Sequence, residues 1–405
     1  MTETPSPQQA YISKVHLKGY KSIRDLEIDF KPGLNIIIGP NGSGKTNFLE
    51  FLEKAFQLNA DDIQDEIYAK IDFIIEKVKY YLDYLVKPNK ISKDAQDVKI
   101  VIFDSEEKTV YKKEFLKIRN KEIHTSKKNF DYSFVKGFEV YSFLGLLFSR
   151  ENNLKLIRFG VDSDFNKFFN NSFSIEFYNE SINNGLSSME SFFLIIGNSK
   201  IDEEESKIID LSINSAFLQI LNTYSPIQNL KFDIDNIRIY KGVSGSKDEE
   251  FPYFEVQNLK IKFLIGGQWI NWYMLSDGTK RIFYVLYKIF TANSSLVFLE
   301  EPELGIHPDQ LHKLMDFLIE QSKEKQIIIT THSPEVLNAI HPDELDRIIV
   351  TRYDADKGTI MHKLTPEQAK EMGERVKEGD MFLSDRWVHL NLEDEIFNAT
   401  KLNEK

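Results

Sequence analysis

One segment constrains this chain more than any other. Leu34-Asn35-Ile36-Ile37-Ile38 is a short, mostly β-branched apolar run, preceded by the turn-forming Lys31-Pro32-Gly33. It runs straight into Gly39-Pro40-Asn41-Gly42-Ser43-Gly44-Lys45-Thr46, after which residues Asn47 to Phe56 carry apolar positions at helical spacing. Strand, glycine loop and helix in that order form one α/β unit, and an unbroken apolar strand belongs inside a parallel or mixed sheet. The loop has the spacing G-x-x-x-x-G-K-[ST] of a phosphate cradle. Its glycines let backbone N–H groups turn inward where side chains would collide. The helix beginning near Lys45 offers unpaired N–H groups and the positive end of its dipole. Lys45 is suited to bridge the two outermost phosphates of a triphosphate, and the Thr46 hydroxyl to bind Mg2+.

Three further segments narrow the class. Leu296-Val297-Phe298-Leu299-Glu300-Glu301 is an apolar strand that delivers two acids at its carboxyl end, where open α/β sheets bind ligands. Adjacent carboxylates at a strand end point different ways, so Glu300 can hold Mg2+ through water while Glu301 polarises an attacking water. Ile327-Ile328-Ile329-Thr330-Thr331-His332 is a second buried strand, and it ends in a histidine suited to sense the terminal phosphate. Leu275-Ser276-Asp277-Gly278-Thr279-Lys280-Arg281 opens a helix, and its Ser and Gly form a second anion site separate from the first. One nucleotide does not need two cradles from one chain, so the second is expected to serve a neighbouring copy.

The rest of the chain gives a coarser outline. Residues 1 to 10 read as a disordered lead. Asp61 to Val86 reads as a helix, with Ile67, Ile71, Ile74, Val78, Tyr81 and Leu85 alternating four and three apart up to Pro88. VKIVIFD and TVYKKEFLKI read as an antiparallel pair about Ser105 to Lys108, and residues 138 to 235 as mixed and mostly helical. Strands return in LKFDIDNIRIY, FEVQNLKIKFLI and QWINWYML. They are followed by a helix at Lys280 to Phe290, another at Gln310 to Gln321, and a further helix after Pro334. Asp354-Ala355-Asp356 has metal-ligand spacing, but Lys357-Gly358 follow it between two strand-like runs, which is turn chemistry.

Two segments stay open. Lys112 to Lys128 interleaves seven basic residues with Tyr111, Phe115 and Phe130, either a solvated edge ribbon or a nucleic-acid face. Met381, Phe382, Trp387, Val388 and Leu390 near the C-terminus either dock a partner or pack on their own domain.

Composition removes whole classes. There is no cysteine, hence no disulfide, thiolate metal site or thiol nucleophile, which fits a cytoplasmic address. No apolar run reaches the roughly 18 residues of a membrane span; the longest, Phe138 to Phe148, contains Glu139. The polar start MTETPSPQQA lacks the pattern of a signal peptide. A net charge of −12 opposes wholesale non-specific nucleic-acid binding.

Taken together, GYKSI, GPNGSGKTNFLE, LSDGTKR, VFLEEPELGIHP and TTHSPEVL resemble the SMC-like branch of ABC ATPases. They are more similar still to the AAA-type ATPase domains of the overcoming-lysogenization-defect (OLD) family. Glu300 stands where the commonest form of the motif has Asp. The resemblance covers residues 11 to 50 and roughly 270 to 345, and implies a P-loop ABC-type core, a mixed sheet flanked by helices, split by a large helical and β insertion. The expected boundaries are 1–60 and 236–365 for the two halves of the core, 61–235 for the insertion and 366–405 for a helical extension. It also implies ATP and Mg2+, with Lys21, Ser22 and Asn41 to Asn47 around the phosphates and Glu301, His332 and Lys45 catalytic. Ser276 and Gly278 would cap the nucleotide held by another copy, in a homodimer or larger homo-oligomer.

Only 73 residues follow His332 (405 − 332), thin for the Toprim nuclease domain of OLD nucleases. The chain therefore resembles stand-alone ATPase components of two-gene defence systems of the PARIS and Septu kinds, in anti-phage or toxin–antitoxin roles. Such a subunit is expected to gate a separate effector, a Toprim or HNH nuclease. The alternative is an SMC- or RecF-like DNA repair ATPase, with no membrane role in either case.

Overall fold

The computed structural model describes residues 10–56, 66–75, 77–88, 95–118, 121–123, 154–157, 175–178, 196–202, 207–233, 236–243, 250–257, 260–291, 295–379 and 382–389. Its first strands are β1 (Ala10–Tyr20), β2 (Ile23–Asp29), β3 (Leu34–Ile38), β4 (Ile67–Ile75), β5 (Val78–Pro88), β6 (Ala95–Asp104), β7 (Thr109–Ile118), β8 (Lys121–Ile123) and β9 (Leu154–Ile157). Next come β10 (Ile175–Tyr178), β11 (Ile196–Asp202), β12 (Lys207–Ile213), β13 (Asn229–Asp233), β14 (Asn236–Val243), β15 (Glu250–Gln257), β16 (Lys260–Ile265) and β17 (Gln268–Asn271). The last strands are β18 (Leu296–Glu300), β19 (Gln326–Thr331), β20 (Ile348–Asp354) and β21 (Gly358–Lys363). The helices are α1 (Lys45–Phe56), α2 (Ser215–Tyr224), α3 (Asp277–Thr291), α4 (Pro308–Gln321), α5 (Pro366–Lys377) and α6 (Leu383–His389).

The chain divides into two compact units, residues 1–156, 293–303 and 315–405 in one and 157–292 with 304–314 in the other. The first is built on a sheet of order β8-β7-β6-β5-β4-β1-β2-β21-β20-β3-β19-β18-β9. Its centre is parallel: β18 runs with β19, β19 with β3, and β3 with β20. These strands are buried along most of their length, which is why they read as continuous apolar runs in the sequence. Beyond β20 the sheet turns into an antiparallel meander through β21, β2, β1, β4 and β5. Helix α1 lays Phe48, Leu49, Phe51, Leu52, Ala55 and Phe56 on this sheet. Phe51 meets Tyr20 and Tyr84 at 5.3 and 5.5 Å between ring centroids, and Phe56 meets Phe73 at 6.3 Å. That packing fixes the axis of the helix whose N-terminus carries the glycine loop.

Several expectations are corrected. The segment from Ile67 to Val86 is not a helix but the antiparallel pair β4–β5, with Ile67 opposite Val86 and Ile75 opposite Val78. Its core side chains, Ile67, Ala69, Ile71, Phe73 and Ile75, follow a period of two. The stripe spaced four and three crosses both faces, so that its member Val78 is 42% exposed. Isoleucine and aromatic residues suit a pleated surface, and the antiparallel neighbours decide between the two spacings. After Pro334 the chain makes only a 3-10 helix, Pro334–Ala339, which ends before His341-Pro342 because the residue ahead of a proline is biased away from helix. Between 138 and 235 the described residues form five strands, β9 to β13, and the single helix α2. Residues 1–9, Phe138 to Phe148, Lys127, Lys128, Phe130, Met381 and Leu390 lie outside the described residues.

Other expectations hold. β6 and β7 are an antiparallel pair about the turn at Ser105 to Lys108. The basic Lys112, Lys113 and Lys117 lie on β7, which pairs with the terminal strand β8. Asp354-Ala355-Asp356 is the β20–β21 hairpin turn, where Asp354 Oδ1 accepts the N–H groups of Asp356 and Lys357 at 2.8 and 2.9 Å. None of the described helices is long and apolar enough to cross a membrane.

The second unit holds three small sheets, β10-β15-β14, β11-β12 and β13-β16-β17. An aromatic cluster positions α3 within it. Phe283 meets Phe263 edge-on at 5.2 Å and Trp272 at 5.8 Å, while Phe217 of α2 meets Phe290 at 5.1 Å.

Candidate nucleotide site

The glycine loop leaves the carboxyl end of β3, at the edge where β18, β19 and β20 also end. Gly42 and Gly44 have φ of +80° and +98°, a region closed to most side chains. Gly39 is needed for another reason: a Cβ there would come 2.0 Å from the Thr351 carbonyl oxygen of β20. Asn41 and Gly42 are exposed at the tip, while Ser43, Gly44 and Lys45 are buried. Lys45 Nζ donates to the carbonyls of Gly39 and Pro40 at 2.7 and 3.0 Å, closing the loop on itself. Burial lowers the Lys45 ammonium below its ordinary value, opposed by the charges of Glu301, Glu303 and Glu300.

Ser22 stands beside this loop. Its hydroxyl accepts the Asn47 side-chain N–H at 2.8 Å and lies 2.8 Å from Thr359 Oγ1. Lys21 has φ 49° and pairs with Glu50 of α1, one turn beyond Thr46. Its ammonium is therefore held on the helix flank rather than at the loop.

Across from the loop, β18 ends in the acids. Thr46 Oγ1 donates to Glu300 Oε1 at 2.5 Å. Glu301 takes φ 44°, an uncommon conformation for a non-glycine residue, and its N–H donates to the Thr330 carbonyl at 2.8 Å. His332, just past β19, places Nδ1 3.2 Å from Glu301 Oε1 and 3.9 Å from Glu303 Oε1. Glu303 is 7% exposed, and burial raises its carboxyl above the ordinary range against the hydrogen bond from Thr331.

The donors fit a Mg2+-bound triphosphate. Among the described residues no group of three or more His, Asp or Glu is placed to hold a metal alone. Thr46 and Glu300 supply adjacent hard oxygens, which suits an ion that takes its remaining ligands from phosphate and water. The cradle is one that a side chain at Gly42 or Gly44 would obstruct, and the buried Ser43 Oγ has no hydrogen-bond partner among the described residues.

The second unit presents Ser276 at the start of α3. Its Oγ accepts the Thr279 N–H at 3.2 Å, capping the helix, and it is exposed beside Tyr273 and Met274. Gly278 is required because a Cβ there would come 2.4 Å from the Gly305 carbonyl.

Of the residues expected from the sequence, the first unit brings Lys45, Thr46, Asn47, Ser22, Glu300, Glu301 and His332 to one edge, while Ser276 and Gly278 lie in the second. Sequence reasoning missed Glu303, Thr331, Thr351 and Thr359. Only Glu303 left a trace, as the second acid of Glu301-Pro302-Glu303.

A mixed sheet with a P-loop between its parallel strands and paired acids on the neighbouring strand end defines an ABC-type ATPase fold. The chain belongs to the family described as "AAA domain, putative AbiEii toxin, Type IV TA system", whose model matches residues 34–338. It is similar to the Septu protein PtuA of Bacillus thuringiensis, 23% identical over 388 residues, covering 91% of this chain and 82% of that protein. A shorter likeness is to the DNA replication and repair protein RecF of Desulfitobacterium hafniense, 34% identical over 82 residues; the match spans 18% of this chain and 22% of that relative's length. Among solved structures, an Smc head domain from Pyrococcus furiosus bound to the C-terminal domain of ScpA aligns with a TM-score of 0.48 at 15% identity, covering 91% of this chain and 100% of that one.

Proposed function

We propose that this chain hydrolyses ATP at a site completed by a second copy of itself, and that the nucleotide state gates a separate effector in anti-phage defence. The observation that carries the hydrolytic reading is the Glu301–His332 pair, 3.2 Å apart beside the buried Lys45. In the reaction a water oxygen bonds to the γ-phosphorus, the bond to the β,γ-bridging oxygen breaks, and Glu301 takes the water proton. Lys45 and the N–H groups of the loop stabilise charge on the phosphates, and His332 orients the pair. Thr46, and Glu300 through water, would hold Mg2+, which would supply charge neutralisation when bound.

Ser276 and Gly278 of one copy cap the γ-phosphate held by Lys45 of another, so that ATP closes the pair and hydrolysis reopens it. The likeness to the Septu protein PtuA, over 91% of this chain and 82% of that protein, supports the defence role that the motif resemblance implies. Steady-state ATPase assays on wild type and Glu301→Gln test the reading; turnover that survives the substitution removes it.

The RecF likeness favours a second reading, a DNA-binding repair ATPase. It requires duplex binding that weakens steeply with salt, read by gel shift at several salt concentrations.

A further inference from the structure

The three acids after Leu299 have different surroundings, and the third has no part in the mechanism above. Glu303 turns back into the protein, where Oε1 accepts the Thr331 hydroxyl and the buried Oε2 has no hydrogen-bond partner among the described residues. The same Thr331 oxygen accepts the Ser333 N–H at 2.9 Å. A chain of two hydrogen bonds, Ser333 to Thr331 to Glu303, therefore spans the residues on either side of His332. A hydroxyl has one proton, so an acceptor at Glu303 fixes its direction and leaves its lone pairs to Ser333.

We propose that Glu303 is a positioning residue: by anchoring Thr331 it pins the backbone around His332 and so sets the 3.2 Å approach of His332 to Glu301. This inference rests on the hydrolytic reading of Glu301 and His332. What matters is an acceptor oxygen at this position. Glutamine keeps one in its amide carbonyl, whereas methionine, of similar length, does not.

The test uses the full chain and four variants, with kcat and KM for ATP measured on each. Glu303→Met and Thr331→Val each lower kcat about 10- to 100-fold, the usual range for a residue that orients a catalytic group, with KM within about twofold. Glu303→Gln stays within about threefold of wild type. The double variant Glu303→Met/Thr331→Val is no worse than either single, because both cut the same chain.

A kcat unchanged in Glu303→Met, a loss in Glu303→Gln as large as in Glu303→Met, or additive losses in the double variant overturn the proposal. Should Glu303→Met fail to fold, Thr331→Val and Glu303→Gln decide alone: a loss in the first with retention in the second supports it, and any other pair of results overturns it. Glu301→Gln separates the two levels. If its turnover survives, the hydrolytic reading has failed; if its turnover is lost while the Glu303 series is flat, only the present inference has failed.

Discussion

Gly44 and Thr359 are 315 positions apart in the chain, yet a Cβ on Gly44 would come 2.0 Å from the Thr359 hydroxyl. The N–H of Thr359 also donates to the Ser22 carbonyl at 2.8 Å. The phosphate cradle is thus backed by a strand from the far end of the sequence, and its glycines answer to that strand as well as to a ligand.

Gly44→Ala meets both constraints at once, a φ of +98° and a clash with β21. The expected cost is about 1–3 kcal/mol of stability together with loss of ATP binding. Urea denaturation and fluorescent-nucleotide titration read the two effects separately.

Glu301→Gln should reduce hydrolysis about 10²- to 10⁴-fold, the range for removing a general base. The triphosphate would still be gripped, so light scattering with ATP should show an association that wild type passes through only transiently. A variant that stays monomeric with ATP would contradict a closed, loaded state.

Ser276→Arg should abolish turnover and leave binding at the Lys45 loop intact. Lys45→Ala should lose binding. If each site draws on two copies, mixing these inactive variants in equal amounts restores activity, to about a quarter of wild type for random pairing in a two-fold dimer. No restoration, with mixed dimers verified by pull-down, would rule out the shared site.

Glu303 yields a pH prediction. Burial raises its folded pKa above the 4.5 of an ordinary glutamate. Below that value the carboxyl is protonated folded and unfolded alike, and its contribution is fully present. As pH rises through the elevated folded value, the contribution is lost, because the folded state must then ionise a buried group. Glu303→Gln stays neutral throughout, so its stability relative to wild type should rise with pH from about 4.5 upward. Thermal melts across pH 4 to 8, flanking the unperturbed glutamate value of roughly 4.3, measure the slope; parallel curves would contradict it.

The legible parts of the molecule were those whose signal is local. β3, its glycine loop and α1 lie within 23 consecutive positions, 34–56, and each step carries its own residue type. β18 and β19 announced themselves because strands buried on both faces have no polar alternation to confuse them. β4 and β5 failed the same reading because their apolar residues satisfy two periodicities at once, and only pairing with β1 and β6 selects one. The site shows the same division. Lys45, Glu300 and His332 belong to contiguous motifs, whereas Thr351 and Thr359 reach the loop through β-pairing, which leaves no mark near either partner. Glu303 stood in plain sight beside Glu301, but nothing local separates a buried acid from a solvated one.

The place of β3 between β19 and β20 has a consequence during synthesis. The strand that carries the cradle leaves the ribosome early, but its two flanking strands begin 292 and 314 residues later, counting from Leu34 to Gln326 and Ile348. Until they are made, β3 has neither of its neighbours, so the loop it carries takes up its place at the strand ends only once β20 has been synthesised.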